Sequence, residues 1–220
     1  MKPGKLNDFR RGTKGFALKE LAVTIVVMLL LMLFVLPWIG RARARARGIC
    51  CNCNLKQIGL SFRQWGFDHN GKYPQQVEAT NGGMVGLIEN DSTYLTFVIL
   101  SNELSTPKVL ICPSDNRRAA TDFTFLRSNT NVSYFVGLDA EEHHPQMFLS
   151  GDRNLEIEGV GVKPGIVSLR TNTLIGWTSE LHRLQGNIGF ADGSVQGLPN
   201  SNLGLALQAS GVITNRLMLP

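Results

Sequence analysis

The side chains in this chain that could do chemistry are few. Glu20 is a lone carboxylate at the mouth of an apolar run, residues 21–40, that carries no charge. A carboxylate at the edge of such a run is costly in lipid unless a cation meets it, so a task is expected for it. His182 and Asp192 can serve a metal or a partner. They can equally be structural, with Asp192 satisfying its own turn amides and His182 bonding a loop. Cys50, Cys51, Cys53 and Cys112 form a C-C-x-C group with one distant member, which is not a zinc spacing. His143-His144 stand beside Glu141 and Glu142 without any Cys/His spacing, and read as part of a solvated acidic loop. No metal and no cofactor are expected. No G-x-S-x-G, no H-E-x-x-H and no phosphate-cradling loop occurs, and Gly82-Gly83 lacks a strand-to-helix setting. The reading is that this chain is not an enzyme.

The element that carries Glu20 is the apolar run LAVTIVVMLLLMLFVLPWIG. Three readings compete for it. A buried core helix would show a polar face, and none is present. A cleaved secretory signal has an apolar stretch of about 7–15 residues and small residues at the cut. This run is longer and ends in Pro-Trp-Ile-Gly followed by RARARAR. A retained helix spanning a hydrocarbon core of ~30 Å fits best. Arginines and lysines flank both ends, so charge alone leaves the orientation open. Pro37 either bends the helix or loosens its end.

Charge divides the chain. Residues 1–47 hold ten Lys/Arg against Asp8 and Glu20, while residues 48–220 hold twelve against fifteen Asp/Glu. The basic excess belongs to the membrane-flanking segment. The mildly acidic remainder lacks the footprint of a nucleic-acid binder.

Lys14-Gly15-Phe16-Ala17-Leu18-Lys19-Glu20, a basic leader before it and the apolar run after it resemble the signal of type IV prepilins and type II secretion pseudopilins. The resemblance implies cleavage after Gly15 by a prepilin peptidase and N-methylation of Phe16. It also implies that Glu20 pairs with the Phe16 amine of a neighbouring subunit in an assembled filament. Lys19 departs from the family pattern, which has an apolar residue there; it can snorkel to the interface or compete for Glu20. "NLKQIGL" at 54–60 and "NGKYP" at 70–74 are similar to segments of the same pseudopilin-like family. His182, nine residues and Asp192-Gly193 match the family's C-terminal H-x9-D-G element, with Gly186, Asn187 and Phe190 in its usual interior. For a domain placed outside the cytoplasm, a disulfide from the helix to Cys112 is one expectation. Cys53 is the first choice because it directly precedes the NLKQIG segment. Such a bridge would close about sixty residues and contribute ~4 kcal/mol in the chain-entropy model. Lone buried thiols are the alternative.

The remaining elements follow from periodicity. Leu55, Ile58, Phe62 and Trp65 recur at helical steps, with Ser61 and Arg63 off the stripe, so an amphipathic continuation is expected. Asp68-His69-Asn70-Gly71 should end it, with Gly71 as the first residue past the cap. Expected strands are 109–112, 133–138, 166–169, 174–178, 187–191 and 194–198, the last two joined by a two-residue type I′ turn at Asp192-Gly193. Short helices are expected over 92–102 and 202–209, and long loops over 75–92 and 139–165. The expected fold class is α+β: a long N-terminal helix packed on an antiparallel sheet, pilin-like. The expected organisation is a cleaved leader (1–15), a transmembrane helix (16–40), its amphipathic continuation (41–70) and a globular pilin-like domain (71–220).

Two functional classes follow. The first is a pseudopilin or minor pilin-like structural subunit of a type II secretion or type IV pilus-like machine. Its partners would be the prepilin peptidase, other pilin-like subunits and inner-membrane lipid, with no nucleic acid. It would be a single-pass inner-membrane protein with a cytoplasmic N-terminus and an extracytoplasmic domain, able to enter a periplasmic pseudopilus. The second is a membrane-anchored extracytoplasmic binding module that does not polymerise.

Overall fold

The structure is a computed structural model, and it describes residues 18–89 and 92–220. The chain divides into two compact units, Met1–Ala44 and Arg45–Pro220. Gly15 and Phe16 lie outside the described residues.

Helix α1 spans Leu18–Asp68 and runs through Pro37 without a break in its assignment. Among the described residues it is one helix long and apolar enough to cross a membrane. In the first unit, its large apolar side chains from Leu18 to Ile39 are all exposed. In the second unit α1 is amphipathic. Leu55, Ile58 and Phe62 are fully buried and Trp65 nearly so, while Leu60 and Phe67 point to solvent. Ser61, expected off the stripe, is also buried; its hydroxyl donates back to the Ile58 carbonyl at 2.7 Å and so needs no water. The helix stops one residue earlier than expected. Asn70 takes the left-handed position past the cap (φ 57°), and Gly71 donates its N–H to the Gly66 carbonyl at 2.8 Å, which is the Schellman closure.

Among its described residues the second unit also contains α2 (Thr93–Ile99), α3 (Asn200–Ala209) and nine strands. These are β1 (Tyr134–Gly137), β2 (Phe148–Asp152), β3 (Leu155–Ile157), β4 (Val160–Gly161), β5 (Gly165–Arg170), β6 (Ile175–Trp177), β7 (Gln185–Phe190), β8 (Val195–Pro199) and β9 (Thr214–Leu219). They form a six-stranded sheet, β5-β9-β1-β2-β7-β8, and a three-stranded sheet, β4-β3-β6. Every pairing between these strands is antiparallel.

The six-stranded sheet is covered on both faces, and strand alternation shows how. Tyr134, Val136, Leu149 and Met218 share a core with Leu55, Ile58 and Phe62 of α1. Their neighbours Phe135, Phe148, Leu217 and Leu219 share a second core with Trp177 of the small sheet and with Leu203 and Leu207 of α3. Side chains two residues apart share a face, so β1, β2 and β9 each feed both cores. The fold is α+β, with the helix on an antiparallel sheet as expected.

Several expected elements differ. Residues 109–112 are not a strand: Thr106 caps a 3-10 turn at Pro107–Leu110, where Pro107 presets the backbone. The expected loop 139–165 holds β2, β3 and β4. Residues 45–70 belong to the same compact unit as the sheets. The β7–β8 connection is a three-residue loop. Only Gly193 has a positive φ (83°), where a type I′ turn needs two such residues. Gly193 N–H donates to Phe190 O at 2.9 Å and Phe190 N–H to Ser194 O at 2.8 Å, a type I turn closed by a left-handed glycine.

Candidate functional site

Four elements converge on one polar cluster inside the second unit. Cys51 comes from α1 and Cys112 from the segment just after the 3-10 turn at Pro107–Leu110. Asp152 is the last residue of β2, and His182 lies in the loop between β6 and β7. The four ligand atoms all lie within 4.8 Å of one another. Cys51, Cys112 and Asp152 are fully buried, and the His182 side chain is 11% exposed.

Cys51 and Cys112 are joined as a disulfide across a Cα–Cα distance of 5.2 Å. This corrects the expected Cys53–Cys112 pair. Cys53 and Cys50 are exposed free thiols. The helix explains the choice: Cys51 stands four residues before Leu55 and seven before Ile58, on the buried stripe, and Cys53 falls off it.

The groups around the bridge are fixed by their neighbours. Cys112 Sγ lies 3.2 Å from His182 Nε2 and Cys51 Sγ lies 3.7 Å from Asp152 Oδ1. The Tyr134 hydroxyl is 3.4 Å from Cys51 Sγ and accepts from Asn54 Nδ2. Asp152 Oδ2 accepts from the Asn187 N–H at 2.7 Å and from Asn187 Nδ2 at 2.8 Å. Burial pushes Asp152 up to about 7 against the downward pull of those two bonds. Burial, together with the positive charge of Arg47, lowers His182. Both shifts favour neutral forms. The 3.5 Å approach of His182 Nε2 to Asp152 Oδ2 is therefore not a strong ion pair, although it lies within ion-pair distance.

A guanidinium clamp ties three of the four segments together. Arg153, next to Asp152, donates to both Asp115 oxygens at 2.8 and 3.0 Å and also to Glu180. Asp115 lies three residues past Cys112 and Glu180 two before His182. Desolvation alone would raise Asp115, but the hydrogen bonds from Arg153 and Ser133 overcome it and hold the carboxyl below its ordinary value. After His182, Arg183 and Leu184 both adopt left-handed backbone (φ 55° and 62°). That costs about 1–3 kcal/mol per residue, which the surrounding packing must hold.

The H-x9-D-G element thus separates into two places. His182 joins the sulfur–carboxylate cluster and Asn187 supports it through Asp152. Asp192 stays in its turn, where Oδ1 accepts the Ser194 N–H at 2.8 Å and its carbonyl accepts from Arg63 at 3.0 Å. Phe190 packs edge-on to Phe148, and Gly186 leaves room for Trp177, whose ring would lie 2.6 Å from an added Cβ. Gly193 meets Gly59 of the "NLKQIGL" segment, where a Cβ would come within 3.4 Å of Gly193 Cα. The two signature segments, far apart in sequence, touch in space. Glu20 lies in the first turn of α1 and is exposed. His144 pairs with Glu141 at 3.4 Å in an exposed loop.

Sequence spacing missed the cluster because Cys51, Asp152 and His182 come from three separate elements. Two sulfurs, an imidazole and a carboxylate form the donor set of zinc-class sites, and the absence of a metal expected from spacing overlooked that set. No family model, no curated protein and no solved structure matches this chain.

Proposed function

We propose that this chain is a membrane-anchored, pilin-like structural subunit of a secretion or pilus-type machine, matured by a prepilin peptidase. The observation that carries the reading is the exposed apolar part of α1. No residue is buried in its most apolar 18-residue window, whereas the second unit packs two apolar cores. Burial of that much apolar surface is expected either in lipid or among copies of the same helix. Transfer from lipid to neighbouring helices exchanges one apolar environment for another, so a specific polar contact must select the register. Glu20 meeting the amine of a processed Phe16 in the next subunit supplies it.

In this reading the N-terminus faces the cytoplasm and the second unit lies outside it. A disulfide in that unit suits an oxidising compartment. The competing reading is an anchored binding module that never polymerises, and one experiment separates the two. Single cysteines are placed at Val27 or Leu31 in a Cys50→Ser/Cys53→Ser chain, and membranes are treated with a thiol crosslinker. Crosslinked dimers, the limit with one free thiol per chain, support helix-to-helix contact between subunits. Monomers alone favour the module.

A further inference from the structure

We propose that the Cys51–Cys112 bridge is one of two states of its site, the second being a closed tetrahedral centre for a zinc-class divalent cation. Its ligands are the two thiolates, His182 Nε2 and Asp152 Oδ1. The inference goes beyond the structural role proposed above and does not depend on assembly.

The geometry carries it. In a tetrahedral zinc site with bonds of about 2.0–2.3 Å, neighbouring ligand atoms lie roughly 3.3–3.8 Å apart. Cys112 Sγ to His182 Nε2 is 3.2 Å and Cys51 Sγ to Asp152 Oδ1 is 3.7 Å. All four ligand atoms lie within 4.8 Å of one another; the sulfur–sulfur edge must open, and reduction opens it. The carboxylate is already oriented for the task. Asn187 takes Oδ2 with two hydrogen bonds, while Oδ1 faces Cys51 Sγ. That division is typical of a metal-ligating carboxylate, one oxygen on the ion and one on the protein. A bridged sulfur has no hydrogen to offer Oδ1, so in the disulfide state Cys51 cannot donate to it. A cation satisfies it.

The outer arrangement is also that of a built site. The Arg153 clamp joins the segments of Cys112, Asp152 and His182 through Asp115 and Glu180. It holds these three segments in place whether or not the sulfurs are bonded.

The step balances. A dithiol reductant gives two electrons and two protons to the bridge, which becomes two thiols while the reductant becomes a cyclic disulfide. The cation then displaces one proton from each thiol. The neutral imidazole donates its Nε2 lone pair, with its proton on Nδ1. Removal of the cation followed by exchange with the cyclic disulfide form of the dithiol, which takes up the two electrons and two protons and returns to the dithiol, restores the bridge.

The test uses the full chain in detergent, in a Cys50→Ser/Cys53→Ser background that removes the exposed thiols. The protein is treated with a dithiol, freed of reductant without air, and titrated with Co2+ alone, then with Zn2+. The proposal expects one Co2+ per chain, with thiolate charge-transfer and tetrahedral ligand-field absorption. It expects displacement by one Zn2+, and no such spectrum before reduction. His182→Ala should weaken Zn2+ binding by about 100-fold or more, and Asn187→Ala by about 10–100-fold. Failure of the reduced parent chain to take up Co2+ overturns the proposal, whatever the variants do. So does uptake that is unchanged in His182→Ala.

Discussion

Arg153 grips Asp115 with two hydrogen bonds, from Nε at 2.8 Å and from Nη2 at 3.0 Å, and Asp115 is almost wholly buried. The pair fastens the segment after Cys112 to the end of β2. Replacing Arg153 by Met removes both of these hydrogen bonds and leaves Asp115 with only the more distant Arg117 guanidinium, 4.0 Å away, which should cost up to about 3 kcal/mol. For a unit of this size that lowers Tm by up to roughly 6–12 °C. Calorimetry on the detergent-solubilised chain checks it.

The same pair sets an acid limit. Asp115 titrates below its ordinary value of 3.8 in the folded chain. Its stabilisation is therefore present above that value and is lost as pH falls through the lower folded value. Melting temperatures recorded from about pH 5 down to pH 2 should fall steeply for the parent chain. Asp115→Asn should start lower and fall less steeply. Parallel curves would remove Asp115 from this role.

The disulfide assignment makes a sharp contrast between neighbouring cysteines. Cys51→Ser should lose the bridge and about 2–5 kcal/mol. Cys53→Ser should leave both the bridge and Tm unchanged, because Cys53 is an exposed free thiol. Peptide mapping under non-reducing conditions reads the connectivity directly.

The buried face of α1 in the second unit is tested by truncation at two adjacent faces. Ile58→Ala removes a fully buried side chain and should cost about 2–5 kcal/mol. Leu60→Ala, on the 64% exposed side, should change stability by less than about 0.5 kcal/mol.

How much of this was legible in the sequence depended on range. The apolar run, the stripe of Leu55, Ile58, Phe62 and Trp65, and the hairpin after Asn187 are local patterns, and each is found close to its expected place. β2 was missed inside the expected loop 139–165, where the small and polar Ser150, Gly151 and Asp152 are nonetheless buried in the middle of a sheet. β9 was missed because Leu217 and Met218 face different cores, which erases polar–apolar alternation. The cluster was beyond spacing rules altogether. Asp152 was not singled out, and His182 was matched with Asp192, ten residues on, although it meets Cys112, seventy residues before it. A signal did exist: Cys51 shares the buried stripe with Leu55 and Ile58, and Cys53 does not.

The central claim is that α1 begins as a processed, assembly-competent membrane helix. Intact mass and N-terminal peptide analysis of the protein extracted from membranes tests it most directly. The account predicts a mature chain that starts at N-methylated Phe16, and retention of the leader in Gly15→Ala. A chain that still carries Met1, or one cut near Gly40 with the apolar helix removed, would contradict it.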